Sequence, residues 1–201
     1  MTHIKAVYFD LGGVIVRTED QASRTQLGRE LGKSYAEMDL AVFENRSGFE
    51  ASLGYITEDQ HWQNVVHGLG LPESDIPRLR EAFFAGDRID WEIVNFLRGL
   101  RATHKTGLIS NAWDGLRPWM ISQKFDDAFD ALTISAEVHA AKPAPGIYHQ
   151  ALAALGVAAS ESVFVDDVEQ NIEACRALGM HGVQFHSAGQ ALAEVSELLG
   201  R

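Results

Sequence analysis

Five short apolar runs rich in β-branched residues punctuate the chain, at 4–9, 106–109, 131–134, 162–165 and 182–185. Such near-continuous runs predict strands buried on both faces, as in a parallel sheet. Between the last four lie stretches of helical periodicity and of crossover length: 114–123, 145–155 and 168–178. The latter two run into Gly156 and Gly179, where a helix C-cap would sit. A final helix over 188–199 opens at Ser187 with Gln190 three residues on, a capping-box spacing. Strands alternating with helices predict a doubly wound parallel α/β sheet.

Residues 17–87 break that alternation. Their pattern predicts helices at 19–31, 34–46, 57–69 (Thr57 and Gln60 forming a capping box) and about 73–85, with no strand between them. A helix at 90–102 then leads back into the strand at 106–109. The expected organisation is an α/β core of residues 1–16 and 88–201, with residues 17–87 as a helical insertion between its first two strands. A chain of 201 residues can bury one sizeable core of this kind.

Composition narrows the partners. A net charge of −11 and a pI near 5.1 disfavour DNA, RNA or an anionic membrane, whose phosphates need clustered Lys and Arg. The single cysteine, Cys175, rules out an internal disulfide and a Cys-rich zinc site, fits a reducing compartment, and reads as a small core residue. No run approaches the ~18 apolar residues of a membrane span and no signal-peptide pattern opens the chain, so the expected location is the cytoplasm.

Ligands of open parallel sheets bind beyond the carboxyl ends of the strands, and the residues found there form a coherent set. Asp10 follows the first strand, in Asp10-Leu11-Gly12-Gly13-Val14, and Ser110-Asn111 follows the second. Lys142-Pro143 comes shortly after the third, and Asp166-Asp167 after the fourth, with Asn171 one helical turn on. Alone, each has a plain reading: a turn, a strand end, a solvated lysine. Asp166-Asp167 is the hardest to read that way, because adjacent carboxylates at a buried strand end repel unless a cation or donors compensate. A nucleophilic carboxylate, a hydroxyl, an ammonium and an acidic pair suit phosphoryl transfer with Mg2+.

These four motifs, in this order, resemble those of the haloacid dehalogenase (HAD) superfamily, and the insertion lies where that superfamily carries its helical cap. The resemblance implies a HAD-like Rossmannoid core and Mg2+-dependent hydrolysis of a small phosphorylated metabolite, a sugar phosphate among the candidates. It implies that Asp10 is the nucleophile, forming an aspartyl-phosphate. Ser110, Asn111 and Lys142 would bind phosphate. The metal would take Asp10, the backbone carbonyl of Gly12, and Asp167, with Asp166 a direct or water-mediated neighbour and Asn171 supporting the acidic loop.

One position departs from the pattern. Most phosphatases of the superfamily carry a second Asp two residues after the nucleophile, as general acid and base; here it is Gly12. Such help is worth ~10²–10⁴-fold. Three solutions are open: a leaving group more acidic than an ordinary alcohol, such as that of a sugar 1-phosphate or aryl phosphate; a substitute residue from the cap or from His139; or different chemistry. The rival chemistry is metal-independent 2-haloacid dehalogenation on the same Asp, and a catalytically impaired binding protein is the non-enzymatic alternative. The acidic pair favours the metal-dependent phosphatase. In the cap, Arg17, Arg46, Phe49, His61, Trp62 and His67 are candidates to face substrate, and Trp113 is placed to pack beneath the helices.

Overall fold

The computed structural model describes residues 3–201. Five parallel strands make the central sheet: β1 (Ala6–Phe9), β4 (Lys105–Ser110), β5 (Ala131–Ile134), β6 (Ser162–Asp166) and β7 (His181–Gln184), in the order β5-β4-β1-β6-β7. β1 lies in the middle, with Phe9 opposite Leu108 on one side and Val165 on the other. Its alternate residues feed two cores. Val7 and Phe9 face α6 (Trp91–Leu100), α7 (Leu116–Ser122) and α11 (Ala188–Leu198). Ala6 and Tyr8 face α9 (Pro145–Leu155) and α10 (Glu169–Ala177). Burial on both faces is what the unbroken apolar runs require.

The predicted stops and starts hold. Gly156 takes the left-handed conformation just past α9, and Gly179 does so past α10. Ser187 and Gln190 cap each other at α11, and Thr57 and Gln60 do so at α4 (Glu58–Gly68). Each such cap is worth about 1 kcal/mol. No helix among the described residues is long and apolar enough to cross a membrane.

The region expected to be purely helical differs in two respects. The expected 34–46 helix is split into α2 (Tyr35–Val42) and α3 (Arg46–Ser52). Asn45 stops it, accepting from Gly48 N–H as the N-cap of α3 while donating back to Ala41 O. Gly48 permits the tight corner, since a Cβ there would lie 2.7 Å from the Phe43 carbonyl oxygen. The second difference is an antiparallel ribbon of β2 (Val16–Thr18) and β3 (Asp87–Ile89), where no strand was expected. Three-residue strands carrying Arg17, Thr18, Asp87 and Arg88 show no alternating apolar pattern, and only their pairing makes them strands.

Between the ribbon strands run α1 (Ala22–Glu30), α2, α3, α4 and α5 (Ile76–Phe84). Leu27, Met38, Val42, Trp62, Val65, Val66, Leu79 and Phe83 bury one another there as a separate cluster. Arg24, 4% exposed, ties this bundle to the ribbon. It donates to Phe83 O, Asp39 and Tyr35, reaches Thr18 and Asp87, and stacks on Phe83 at 3.9 Å. A single helical turn, α8 (Ser135–Val138), also unforeseen, follows β5.

Candidate active site

The parallel register brings the ends of β1 and β6 side by side, so Asp10 and Asp166 emerge as neighbours. Asp10 follows the last residue of β1, its N–H bonded to Val165 O, and it is 7% exposed; Asp166 is fully buried. Lys142 Nζ bridges them, 2.7 Å from Asp10 Oδ1 and 2.6 Å from Asp166 Oδ2. At an effective dielectric of about 20, each contact has a gross attraction on the order of 6 kcal/mol. Much of that is offset by desolvation, so the arrangement matters more for placement than for net stability.

The two carboxylates are held differently. Both oxygens of Asp166 accept from Asn171 Nδ2 at 3.0 Å, and Oδ1 also accepts from Val168 N–H at 2.7 Å. Tyr148, donating its hydroxyl to Asn171 O, supports this from beneath. Among the described residues, Asp10 accepts only from Leu11 N–H and Lys142, both through Oδ1, leaving Oδ2 free for chemistry. Burial pushes the Asp10 carboxyl up to about 7, against the pull of Lys142 and with a further push from Asp166. Asp167 is also raised, by its partial burial and by Asp166. Three carboxylates thus face one ammonium.

That donor set fits a hard divalent cation. Oxygens of Asp10, Asp166 and Asp167 lie within 4.8 Å of one another. The backbone has made room for Asp167: Gly13 has φ +77°, and a Cβ there would fall 2.2 Å from Asp167 Oδ2. A set of carboxylate oxygens suits Mg2+ better than softer metals.

Ser110 ends β4, buried, beside β1. Asn111 turns its amide onto the backbone of Lys142, accepting from Lys142 N–H (2.8 Å) and donating to Lys142 O (2.9 Å). This clasp fixes the loop that carries the ammonium. The amide therefore frames Lys142, and any contact of Asn111 with phosphate falls to its backbone. Gly12 is exposed, and a Cβ there would meet nothing within 4 Å.

The other candidates scatter. His139 directs Nδ1 at Leu53 O, 2.8 Å away, in the helical bundle. Arg17 is held by Val14 O and Asp90. Arg46 is exposed beside Glu50, and His67 is exposed near Glu73. His61 and Trp62 are fully buried in the bundle, whereas Phe49 is exposed. Sequence reading missed three contributors: Gly13, which admits Asp167; Tyr148, behind Asn171; and Leu11, whose N–H orients Asp10. The Gly12-Gly13 pair was a visible signal for the first, but the other two have none, since a core tyrosine and a backbone amide carry no local mark.

A five-stranded parallel sheet with an acidic cluster and one lysine at its carboxyl edge defines a hydrolase-type α/β site. The haloacid dehalogenase-like hydrolase family model matches residues 4–179, and the chain belongs to that family. It is 27% identical to a D-ribitol-5-phosphate phosphatase from Bacteroides thetaiotaomicron, over 98% of both chains. A sesquiterpene phosphatase from Aspergillus oryzae is also 27% identical, over 99% of this chain and 98% of that one. Among solved structures, a HAD family enzyme from B. thetaiotaomicron in complex with magnesium and inorganic phosphate superposes with a TM-score of 0.76. It is 22% identical and aligned over 92% of this chain and 96% of that one, a likeness of fold.

Proposed function

We propose that this enzyme hydrolyses a small phosphomonoester through an aspartyl-phosphate on Asp10, with Mg2+ as cofactor. The observation that carries the reading is the buried Asp10–Lys142–Asp166 bridge with Asp167 beside it: one carboxylate oxygen is left free, within reach of an ammonium and a cation-binding acidic set. Asp10, Asp167 and the Gly12 carbonyl would hold the ion, with Asp166 adjacent; when bound, it neutralises phosphate charge. The two phosphatase relatives support the reaction class, and the ribitol phosphate of one keeps sugar and polyol phosphates first among candidate substrates.

Asp10 Oδ2 attacks phosphorus, and the bond to the leaving oxygen breaks. Lys142 and Ser110 hold the phosphoryl oxygens as charge develops on them. With no side chain at Gly12, the leaving oxygen takes its proton from water; a sugar 1-phosphate, whose leaving group is more acidic than a simple alcohol, needs that proton less than a polyol phosphate does. Water then attacks the same phosphorus, releasing inorganic phosphate and restoring the Asp10 carboxylate. Residues 17–87 act as the cap that excludes bulk water and limits substrate size.

Metal-independent 2-haloacid dehalogenation is disfavoured, because Asp167 beside Asp166 would repel an anionic substrate in the absence of a cation. The deciding experiment is a panel of sugar, polyol and nucleotide monophosphates, p-nitrophenyl phosphate and 2-haloacids, each with Mg2+ or EDTA. Metal-dependent phosphate release, abolished by Asp10→Asn, is expected. Halide release in EDTA would replace the reading with dehalogenation, and no turnover of either class would favour a binding role.

A further inference from the structure

Two segments of the α/β core reach the helical bundle, and one of them is the loop that frames the site. Trp113 lies two residues beyond Asn111. Its ring packs against His61 at 4.4 Å, Phe43 at 5.8 Å and Trp62 at 6.0 Å between centroids, and its Nε1 donates to Gly48 O. Among the described residues, it is the only buried or partly buried hydrophobic residue from outside the bundle that packs on the bundle's buried cluster. Next to it, Asp114 Oδ1 accepts from Glu58 N–H at the start of α4. Gly115 leaves space for Glu58, whose Oε2 a Cβ would approach to 1.8 Å. The second loop adds His139 on Leu53 O, and Gly54 set close to Ala136 O.

Inward from Trp113 the contacts are continuous. Ala112 N–H donates to Ser135 Oγ, which donates in turn to Ala112 O, tying the loops after β4 and β5 together. Asn111 then clasps both backbone groups of Lys142, whose Nζ bridges Asp10 and Asp166. Helices α3 and α4 are thus joined to the ammonium at Asp10 through three consecutive residues, 111–113, and one amide clasp.

We infer that Trp113 is a positioning residue: keyed between α3 and α4, it holds the Asn111 clasp that places Lys142, so the site is assembled only while the bundle is seated. Its consequence for turnover rests on the phosphatase reading, but the placement itself does not. Hence the primary test needs neither substrate nor metal. The amide of Lys142 is bonded to Asn111 Oδ1, so its hydrogen exchange reports the clasp directly.

Exchange is compared in wild type, Trp113→Ala and Trp113→Phe, with Val66→Ala, which loosens the same buried cluster while leaving the Trp113 ring in place, as control. Trp113→Ala is expected to speed exchange at Lys142 about tenfold or more, Trp113→Phe less, and Val66→Ala not at all, although both alanine variants loosen α4. If Trp113→Ala does not fold, Trp113→Leu serves in its place. An unchanged Lys142 amide in the Trp113 variant, or equal acceleration by Val66→Ala, overturns the inference. In turnover, Trp113→Ala should raise KM and the inhibition constant of inorganic phosphate, whereas a merely destabilised protein loses active fraction at constant KM. If wild type releases no phosphate from any ester, the functional proposal fails while the exchange result still decides this one.

Discussion

Two adjacent glycines allow a matched test of the cation site. At Gly13, alanine meets two penalties. A left-handed φ of +77° costs an L-residue about 1–2 kcal/mol. The new Cβ would also lie 2.2, 2.6 and 2.9 Å from Asp167 Oδ2, Cγ and Oδ1, so rotating the carboxylate does not relieve the overlap. Restoring even a 3.0 Å contact from 2.2 Å moves Oδ2 by about 0.8 Å, well beyond the ~0.2 Å tolerance of a metal ligand. At Gly12 no positive φ applies and a Cβ meets nothing, so alanine keeps both the backbone carbonyl and Asp167 in place. Gly13→Ala should therefore lose about 1–2 kcal/mol of metal-free stability and bind Mg2+ about 10–100-fold more weakly. Gly12→Ala should be neutral, or gain up to about 1 kcal/mol. Urea denaturation without metal measures the first effect, and calorimetric titration with Mg2+ measures the second. If Gly13→Ala binds Mg2+ as tightly as Gly12→Ala does, Asp167 is not a ligand held by that backbone.

Three further outcomes follow from other contacts. Gly12→Asp places an acid in open space, and should accelerate hydrolysis of alkyl phosphates over p-nitrophenyl phosphate by about tenfold or more; equal or falling rates would mean that another group already protonates the leaving oxygen. Asn171→Ala removes the donor shared by both oxygens of buried Asp166 and should cost about 2–3 kcal/mol in urea denaturation; a loss under about 0.5 kcal/mol would show that Val168 N–H and Lys142 suffice. Burial holds His61 down to about 4 from an ordinary 6.5, so between these values the unfolded chain binds more protons than the folded one. The stability it contributes is complete above pH 6.5 and falls away as pH drops towards 4. Stability measured across that window should fall less steeply in His61→Phe, and an identical slope in both proteins would locate the dependence elsewhere.

The local code of this chain is plain where hydrogen bonding and periodicity act over a few residues. Apolar runs marked all five core strands, because burial on both faces leaves no polar position to interrupt them. Ser187 with Gln190, Thr57 with Gln60, and the glycines after α9 and α10 marked helix ends because each cap is made within a few residues of its helix. The proximity of Asp10, Lys142 and Asp166 was legible for a related reason: a parallel sheet gathers its strand ends on one rim, so their order along the chain already implied it.

What the tertiary structure alone decided is how those groups are spent. Asn111 reads like a phosphate contact, yet its amide is consumed by the backbone of Lys142, 31 residues away. Only the family resemblance separated Asp166 from Asp167 in sequence; in the fold one is buried and saturated by Asn171, Val168 and Lys142, whereas the other is aimed past Gly13. The β2–β3 ribbon likewise joins segments dozens of residues apart through polar groups, and although Trp113 was expected beneath the helices, its bond to Gly48 O was not. Periodicity records which side of an element meets the core. It does not record which of several competing donors and acceptors a side chain will find there, because that choice depends on what the folded chain brings within about 3 Å.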